Sequence, residues 1–330
     1  MTKPCKAGIL GTGSCLPEKR LTNEDLERMV ETDNEWIVKR TGIKERRIID
    51  KDVPLAVLAA EAARKALEKS GLTIDAIDLI IATTVTPDAL TPSLACSVQK
   101  HIGGKAAAFD LNGACSGFIY ALNLAESLIR AGSYNHVLIV SAEALSRVTD
   151  YTDRASCILF GDGAGAVVVG RVEDGTGVES TLLGAEGEDG GVLTIPCFHL
   201  SEEDKAVRNE GKSQVIWMEG KEVFTFATRV MADATRYVLE KARKSVDQVK
   251  MIFPHQANIR ILQNAAKRLN ISMDSVYTNL ENTGNISSAS IPVCLDEASS
   301  KGLLHKGDNI VLVAFGGGLT YGATLLTWSY

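Results

Sequence analysis

The chain has 330 residues, 45% of them hydrophobic and 23% charged, with a formal net charge of -6. That length and apolar fraction suit one large core or two ordinary domains and argue against disorder; no run reaches the roughly 20 uncharged apolar residues of a membrane span. The negative balance argues against a nucleic-acid partner, and the N-terminus MTKPCKAGILGTGSCLPEK has no apolar signal core, which predicts a cytoplasmic protein. The seven cysteines, at positions 5, 15, 96, 115, 157, 197 and 294, stand singly with no C-x-x-C pair or nearby histidine doublet. This spacing argues against a disulfide framework and against a zinc site.

In chain order, ILGTGSCLP offers Gly11 and Gly13 after a strand, but Leu16 stands where a dinucleotide fingerprint needs its third glycine, and Pro17 follows where the helix should run. A helical pattern over Leu55–Ser70 precedes strand-like runs at Leu79–Thr84 and Ala106–Leu111. A second helix, Cys115–Ala131, is followed by runs at His136–Ser141 and Ala164–Val169. Near-continuous apolar strands alternating with helices predict an α/β fold whose sheet is covered on both faces.

The second half repeats the theme with weaker helices. LEKSGLTIDAIDLIIATT from Leu67 matches LEKARKSVDQVKMIFPHQ from Leu239: each reads as helix end, polar turn with an aspartate, then strand. ILFGDGAGAVVVG from Ile158 and VAFGGGLTYGATLL from Val313 read as glycine-rich strand turns closing two halves, an internal duplication with halves 1–172 and 173–330. FGDGAG leads back into a strand and so forms no phosphate loop. GAEGEDGGVLTIPCFHLSEEDKAVRNEGK from Gly184, polar and unrepeated, reads as a long surface excursion.

The apolar run AFDL breaks at Asn112-Gly113, and Cys115 sits there, at the predicted N-terminus of a mostly apolar helix. Unpaired N–H groups and the helix dipole at that position favour a thiolate, and Gly113 and Gly117 leave room for a substrate. A small buried hydrophobe is the equally open alternative. FPHQANIRI places His255 beyond the strand Val249–Phe253, where a loop presents it at the carboxyl edge of the sheet. Asn285 lies in NTGNISSASIP among Gly284, Ser287 and Ser288, and taken alone is a turn or cap residue. Beyond HQAN, Arg260, Asn264, Lys267 and Arg268 fall on one polar stripe of a helix, ordinarily a solvated face.

Together, DLNGACSGF, FPHQANIR, NTGNISSASIP and AFGGGLTYG, in that order, resemble the β-ketoacyl-acyl-carrier-protein synthase III family of the thiolase superfamily. The resemblance implies a duplicated thiolase-like fold, a five-layered α-β-α-β-α sandwich, and a homodimer. It implies that Cys115 accepts the acyl group of a primer thioester such as acetyl-CoA and condenses it with a malonyl group on acyl carrier protein. His255 and Asn285 would complete a Cys-His-Asn set, donating hydrogen bonds to the decarboxylating thioester through Nε2–H and the side-chain amide. The backbone N–H groups of Cys115 and Gly317 would hold the oxyanion of the attack step. No cofactor or metal is implied, CoA entering only as the substrate's carrier.

In the same family likeness, Trp36 of WIVKRTGI would stack on the CoA adenine with Arg154 on its other face, while Arg40 and Thr41 meet phosphate or base. Arg260 would be the docking arginine for the acidic carrier protein, supported by Lys267 and Arg268. Thr91 aligns with an often aromatic position that closes the acyl pocket across the dimer, and a threonine there implies room for primers longer than acetyl. Cys294 falls in an apolar helical pattern and reads as core. The readings left in competition are a sister acyltransferase of secondary metabolism, a papain-like cysteine hydrolase, with which the duplicated pattern disagrees, and a silent binding subunit, which an intact Cys115 disfavours.

Overall fold

The computed structural model describes residues 6–197 and 214–330. Cys5 and residues 198–212 of the polar excursion lie outside the described residues. Two main sheets organise the rest. The first is built from β1 (Lys6–Cys15), β2 (Leu79–Thr83), β3 (Ala107–Leu111), β4 (His136–Ala144) and β5 (Asp162–Val172), in the spatial order β1-β5-β4-β2-β3. The second is built from β6 (Gly177–Ala185), β7 (Met251–Pro254), β8 (Asn309–Gly316) and β9 (Thr320–Thr327), in the order β7-β8-β9-β6.

Read from the opposite edge, the second order is the first again. β1 and β6 each pair antiparallel with the last strand of their set, and β2 and β7 each pair parallel with the strand before the last. Where β3 flanks β2, a single parallel bridge from Ile252 to Val276 flanks β7.

The apolar strands bury both faces, as their composition predicts. Ile80, Ala82, Leu138, Val140 and Val168 pack under the helices Leu55–Ser70 and Leu94–Ile102. The alternate residues Leu79, Ile81, Val137, Ile139 and Val167 face a central layer formed by Gly117–Arg130 and Ser290–Ser300, which also covers Ile310, Leu312 and Ala314 of the second sheet. Val311, Val313 and Phe315 face outward, toward Gly220–Lys241 and Ile259–Leu269. The layers are therefore α-β-α-β-α.

Several local expectations change. Gly11 and Gly13 lie inside β1, where a Cβ would come within 2.5 Å of Ala66 O and 2.3 Å of Ala62 O; they let a strand lie directly on a helix. Around Ile158 no hairpin forms: Gly163, Gly165 and Gly170 are strand residues of β5, reached from β4 through the turn Leu145–Val148 and the short helix Arg154–Cys157. The tight hairpin is the other one, joining Gly316 to Thr320 across β8 and β9. Nor are the second-half helices weak, since Gly220–Lys241 runs for 22 residues. Its threonines and valines obscure the helix locally, while Val223, Phe226, Ala227, Val230, Met231 and Ala234 bury one face. The excursion from Gly184 begins as the end of β6, and its Leu193–Thr194 pairs with Trp217–Met218 while Val192, Leu193 and Ile195 pack on the core.

Candidate active site

The fold brings two similar turns together. At the first, Asn112 Oδ1 accepts the Ala114 N–H at 3.1 Å, Ala114 adopts φ 46°, and the 3-10 turn Ala114–Ser116 leads into the central helix Gly117–Arg130. At the second, Asn285 Oδ1 accepts the Ser287 N–H at 2.9 Å, Ser287 adopts φ 47°, and the turn Ser287–Ala289 leads into Ser290–Ser300. Each asparagine satisfies a donor that its left-handed successor turns inward. The two helix starts touch: a Cβ on Gly117 would lie 3.7 Å from Ser288 Cβ.

Cys115 sits in the first turn, two residues ahead of the helix. Gly316 packs so closely on it that an added Cβ would stand 2.5 Å from the Cys115 nitrogen, so only glycine fits there. Thr320 Oγ donates to Gly113 O at 2.9 Å and Ser116 Oγ donates to Thr320 Oγ at 2.6 Å, which staples the β8–β9 hairpin to the turn. Cys115, Gly317, His255 and Asn285 line one cavity of about 1470 Å³.

His255 follows β7 and is 1% exposed. Its N–H donates to Val313 O at 2.8 Å and its ring lies edge-on to Phe315, centroids 5.4 Å apart. Its Nδ1 lies 2.9 Å from Ser290 Oγ, which also lies 2.8 Å from Ser287 O. The Ser290 hydroxyl has one proton for two acceptors. Given to Ser287 O, it leaves Nδ1–H donating to Ser290 and a lone pair on Nε2; given to Nδ1, it leaves Nε2–H as a donor. Asn285 is held by its backbone, its N–H donating to Leu159 O at 2.8 Å and its carbonyl accepting from Gly161 at 3.0 Å. With Oδ1 bound to Ser287 N–H, the NH2 end of the amide is the end left for a ligand.

The electrostatics correct the expectation of a resting thiolate. Burial pushes the Cys115 thiol up to about 12; Ser287 works against the rise and the Glu143 carboxylate adds to it. Burial also lowers the His255 pKa to about 3. Desolvation outweighs a helix dipole worth at most about 2 kcal/mol, so the pair rests as neutral thiol and neutral imidazole. Alkylation of Cys115 by iodoacetamide should therefore rise with pH through pH 9 without levelling, and a plateau near pH 7 would contradict a protonated resting thiol.

The same cavity is walled by Trp36, Arg40, Thr41, Arg154 and Arg260. Arg154 stacks on Trp36 at 4.6 Å and Arg40 lies 5.3 Å from the same ring. Trp36 therefore already carries its cations, and an adenine entering between Trp36 and Arg154 must displace the latter. The Thr41 hydroxyl is committed, donating to Ile37 O at 2.8 Å and accepting from Ile43 N–H at 3.0 Å, so it shapes the wall more than it reaches a phosphate. Arg260, Lys267 and Arg268 are exposed on Ile259–Leu269, whose Ile261, Leu262, Ala265 and Ala266 are buried. Leu90 also lines the cavity and is 65% exposed, whereas its neighbour Thr91 is exposed and not among the described lining residues. Cys294 is buried in the central layer.

Models of the 3-oxoacyl-[acyl-carrier-protein] synthase III family match residues 109–187, and of its C-terminal domain residues 239–328. A curated β-ketoacyl-[acyl-carrier-protein] synthase III of Caldanaerobacter subterraneus is 50% identical over 330 residues, all of both chains. The chain belongs to this family. The Clostridium acetobutylicum synthase III is 47% identical over 97% of this chain and 98% of its own. The crystal structure of the Aquifex aeolicus synthase III superposes with a TM-score of 0.91 at 44% identity, covering 98% of this chain and all of that one.

Within this synthase III fold, three polar residues of the site were not singled out as site residues by sequence. Ser290 stands 2.9 Å from His255 Nδ1 and orients the ring. Ser287 lines the same cavity, and its side chain acts favourably on the ionised form of Cys115. Glu143, fully buried at the end of β4, accepts from Val85 N–H at 3.0 Å, Thr86 Oγ at 2.9 Å and Ser288 Oγ at 3.0 Å. A carboxylate at the end of an apolar strand is the only trace the sequence offers of that network. Among the described residues no group of three His, Cys, Asp or Glu side chains is placed to hold a metal ion, and no helix is long and apolar enough to cross a membrane.

Proposed function

We propose that the chain starts fatty acid synthesis by decarboxylative condensation of an acyl-CoA primer with malonyl-acyl carrier protein, through an acyl group on Cys115. The observation that carries this reading is the meeting of a nucleophile with two neutral hydrogen-bond donors in one cavity. They stand 140 and 170 residues apart in the sequence, and their place on the lining of the same cavity supports the reading.

Cys115 Sγ attacks the primer thioester carbonyl while its proton passes to Nε2 of His255 and on to the departing CoA thiolate. The C–S bond to CoA breaks and acyl-Cys115 remains. The malonyl thioester then loses carbon dioxide, and the enolate oxygen is held by Nε2–H of His255 and the amide of Asn285. Neither donor is acidic enough to quench the carbanion. The carbanion attacks the acyl carbonyl, whose oxyanion lies against the N–H groups of Cys115 and Gly317, and collapse expels the Cys115 thiolate, which takes up one proton from solvent to restore the resting thiol. The two protonation patterns open to His255 through Ser290 match these two duties. No cofactor is consumed.

Trp36, Arg40 and Arg154 form the CoA wall, with Thr41 behind them. Arg260, Lys267 and Arg268 face the acidic carrier protein, and substituting Arg260→Glu should raise the KM for malonyl-acyl carrier protein about tenfold while leaving the acetyl-CoA KM unchanged; unchanged KM values would remove the docking role. The working form is a cytoplasmic homodimer with halves 1–172 and 173–330 in each copy. Exposure of Ala107 and Phe109 on the edge strand β3 supports pairing there. Thr91 and its neighbour Leu90 then stand where a partner's acyl pocket would end.

Incubation with acetyl-, isobutyryl- or octanoyl-CoA, followed by mass spectrometry, should show an acyl adduct on Cys115 that malonyl-acyl carrier protein converts to ketoacyl product and carbon dioxide. An adduct that only hydrolyses would overturn the reading, and acetyl-only labelling would remove the longer-primer expectation at Thr91.

A further inference from the structure

KERR at 44–47 reads as a surface basic run, yet strand alternation in Glu45–Arg47 turns Arg46 inward, where it is 0% exposed. A fully buried guanidinium is expensive unless its donors are met. Here they meet neutral groups. Nε donates to Ile158 O at 3.0 Å, a second guanidinium nitrogen donates to the same carbonyl, and the third donates to Asn23 Oδ1. Burial lowers its pKa only to about 10, so the charge persists at neutral pH.

Each target leads to the site. Ile158 ends the short helix that begins with Arg154, and the next residues pair with Asn285: Leu159 O accepts its N–H and Gly161 N–H donates to its carbonyl. Gly284, at φ 67°, packs so tightly here that a Cβ would lie 2.9 Å from both Arg46 Cγ and Leu159 O. In the other direction, buried Asn23 donates to Asn34 Oδ1 at 2.8 Å and Ile43 O at 2.9 Å, bracketing the helix Asn34–Thr41 that carries Trp36 and Arg40.

We propose that Arg46 is a positioning residue: one buried fork fixes both the backbone behind Asn285 and the helix behind Trp36, so the donor of the decarboxylation step and the primer wall share an anchor. This rests on the roles proposed above for Asn285 and Trp36. A planar fork suits the task because two of its donors converge on one carbonyl while the third reaches sideways, which a lysine cannot do.

The test separates the two half-reactions. Arg46→Met should lower malonyl decarboxylation about 100-fold and raise the acyl-CoA KM several-fold. Arg46→Lys should lie between, about tenfold down in decarboxylation. Asn23→Ala, which cuts one arm, should raise the acyl-CoA KM and leave decarboxylation within about twofold. A folded Arg46→Met with decarboxylation within about threefold of the parent overturns the proposal. If Arg46→Met does not fold, Arg46→Lys decides: equal losses in acylation and decarboxylation with an unchanged KM mean bulk stability only, and overturn it as well. A parent enzyme that forms no acyl-Cys115 and releases no carbon dioxide instead refutes the functional reading.

Discussion

Replacing Asn285 by Asp should cut malonyl decarboxylation by about 10²- to 10³-fold, or roughly 3–4 kcal/mol of barrier, while acetyl transfer to Cys115 continues at near the parent rate. The substitution is nearly isosteric. The Oδ1 that accepts the Ser287 N–H is retained, so the turn that presents the side chain stays braced. What is lost is the NH2 donor, and what replaces it is an acceptor, charged when ionised, that repels both the malonyl carboxylate and the enolate. Asn285→Ala should lose as much catalysis and some stability too, because it leaves the buried Ser287 N–H without its partner. Carbon dioxide release with malonyl-acyl carrier protein, measured beside acyl-adduct formation by mass spectrometry, separates the two steps. An Asn285→Asp enzyme that decarboxylates at the parent rate would show that the amide is not a donor in that step.

Replacing Cys115 by Ala should have the opposite signature. Condensation should fall by about 10⁴-fold or more, since no group remains to carry the acyl intermediate. Decarboxylation, which uses His255 and Asn285, should survive within about tenfold of the parent rate. The smaller side chain fits the space beside Gly316, so the fold should be unaffected. Ketoacyl product from Cys115→Ala at more than about 1% of the parent rate would remove Cys115 from its role. The decarboxylation that survives in Cys115→Ala should also vary little between about pH 5 and 9, because burial keeps the His255 imidazole neutral throughout that window. A bell-shaped profile centred near pH 7 would place a titrating group in the step that the buried imidazole does not supply.

Local pattern carried much of the architecture. Leu55–Ser70 occupies the residues that its apolar spacing predicts, and β2, β3 and β4 begin within a residue of their apolar runs. The repeated LEK segments lie at the same place in the two halves, each ending a helix before a 3-10 turn and a parallel strand. These features are local: period, breakers and strand composition act over a few residues and leave their mark in the order of the amino acids. The glycines were less legible. Gly11, Gly13 and Gly165 are small because a helix lies against them, and nothing within their own segments says which helix.

The site divides along the same line. Composition and pattern by themselves determined a duplicated α/β chain with a thiol at a predicted helix start and a histidine at a strand end, and the family likeness pointed to Cys115, His255 and Asn285 as a set. Tertiary structure decided the protonation state, because a dipole acts within one turn whereas desolvation depends on every layer packed over Cys115. It decided that Arg154 already rests on Trp36, that Thr41 is spent on its own helix, and that Ser290 and Arg46 stand behind the groups that face the cavity. Apart from the local Thr41 bond, those contacts join residues 35 to 118 positions apart, and no periodicity in the chain records which distant group a buried side chain will meet.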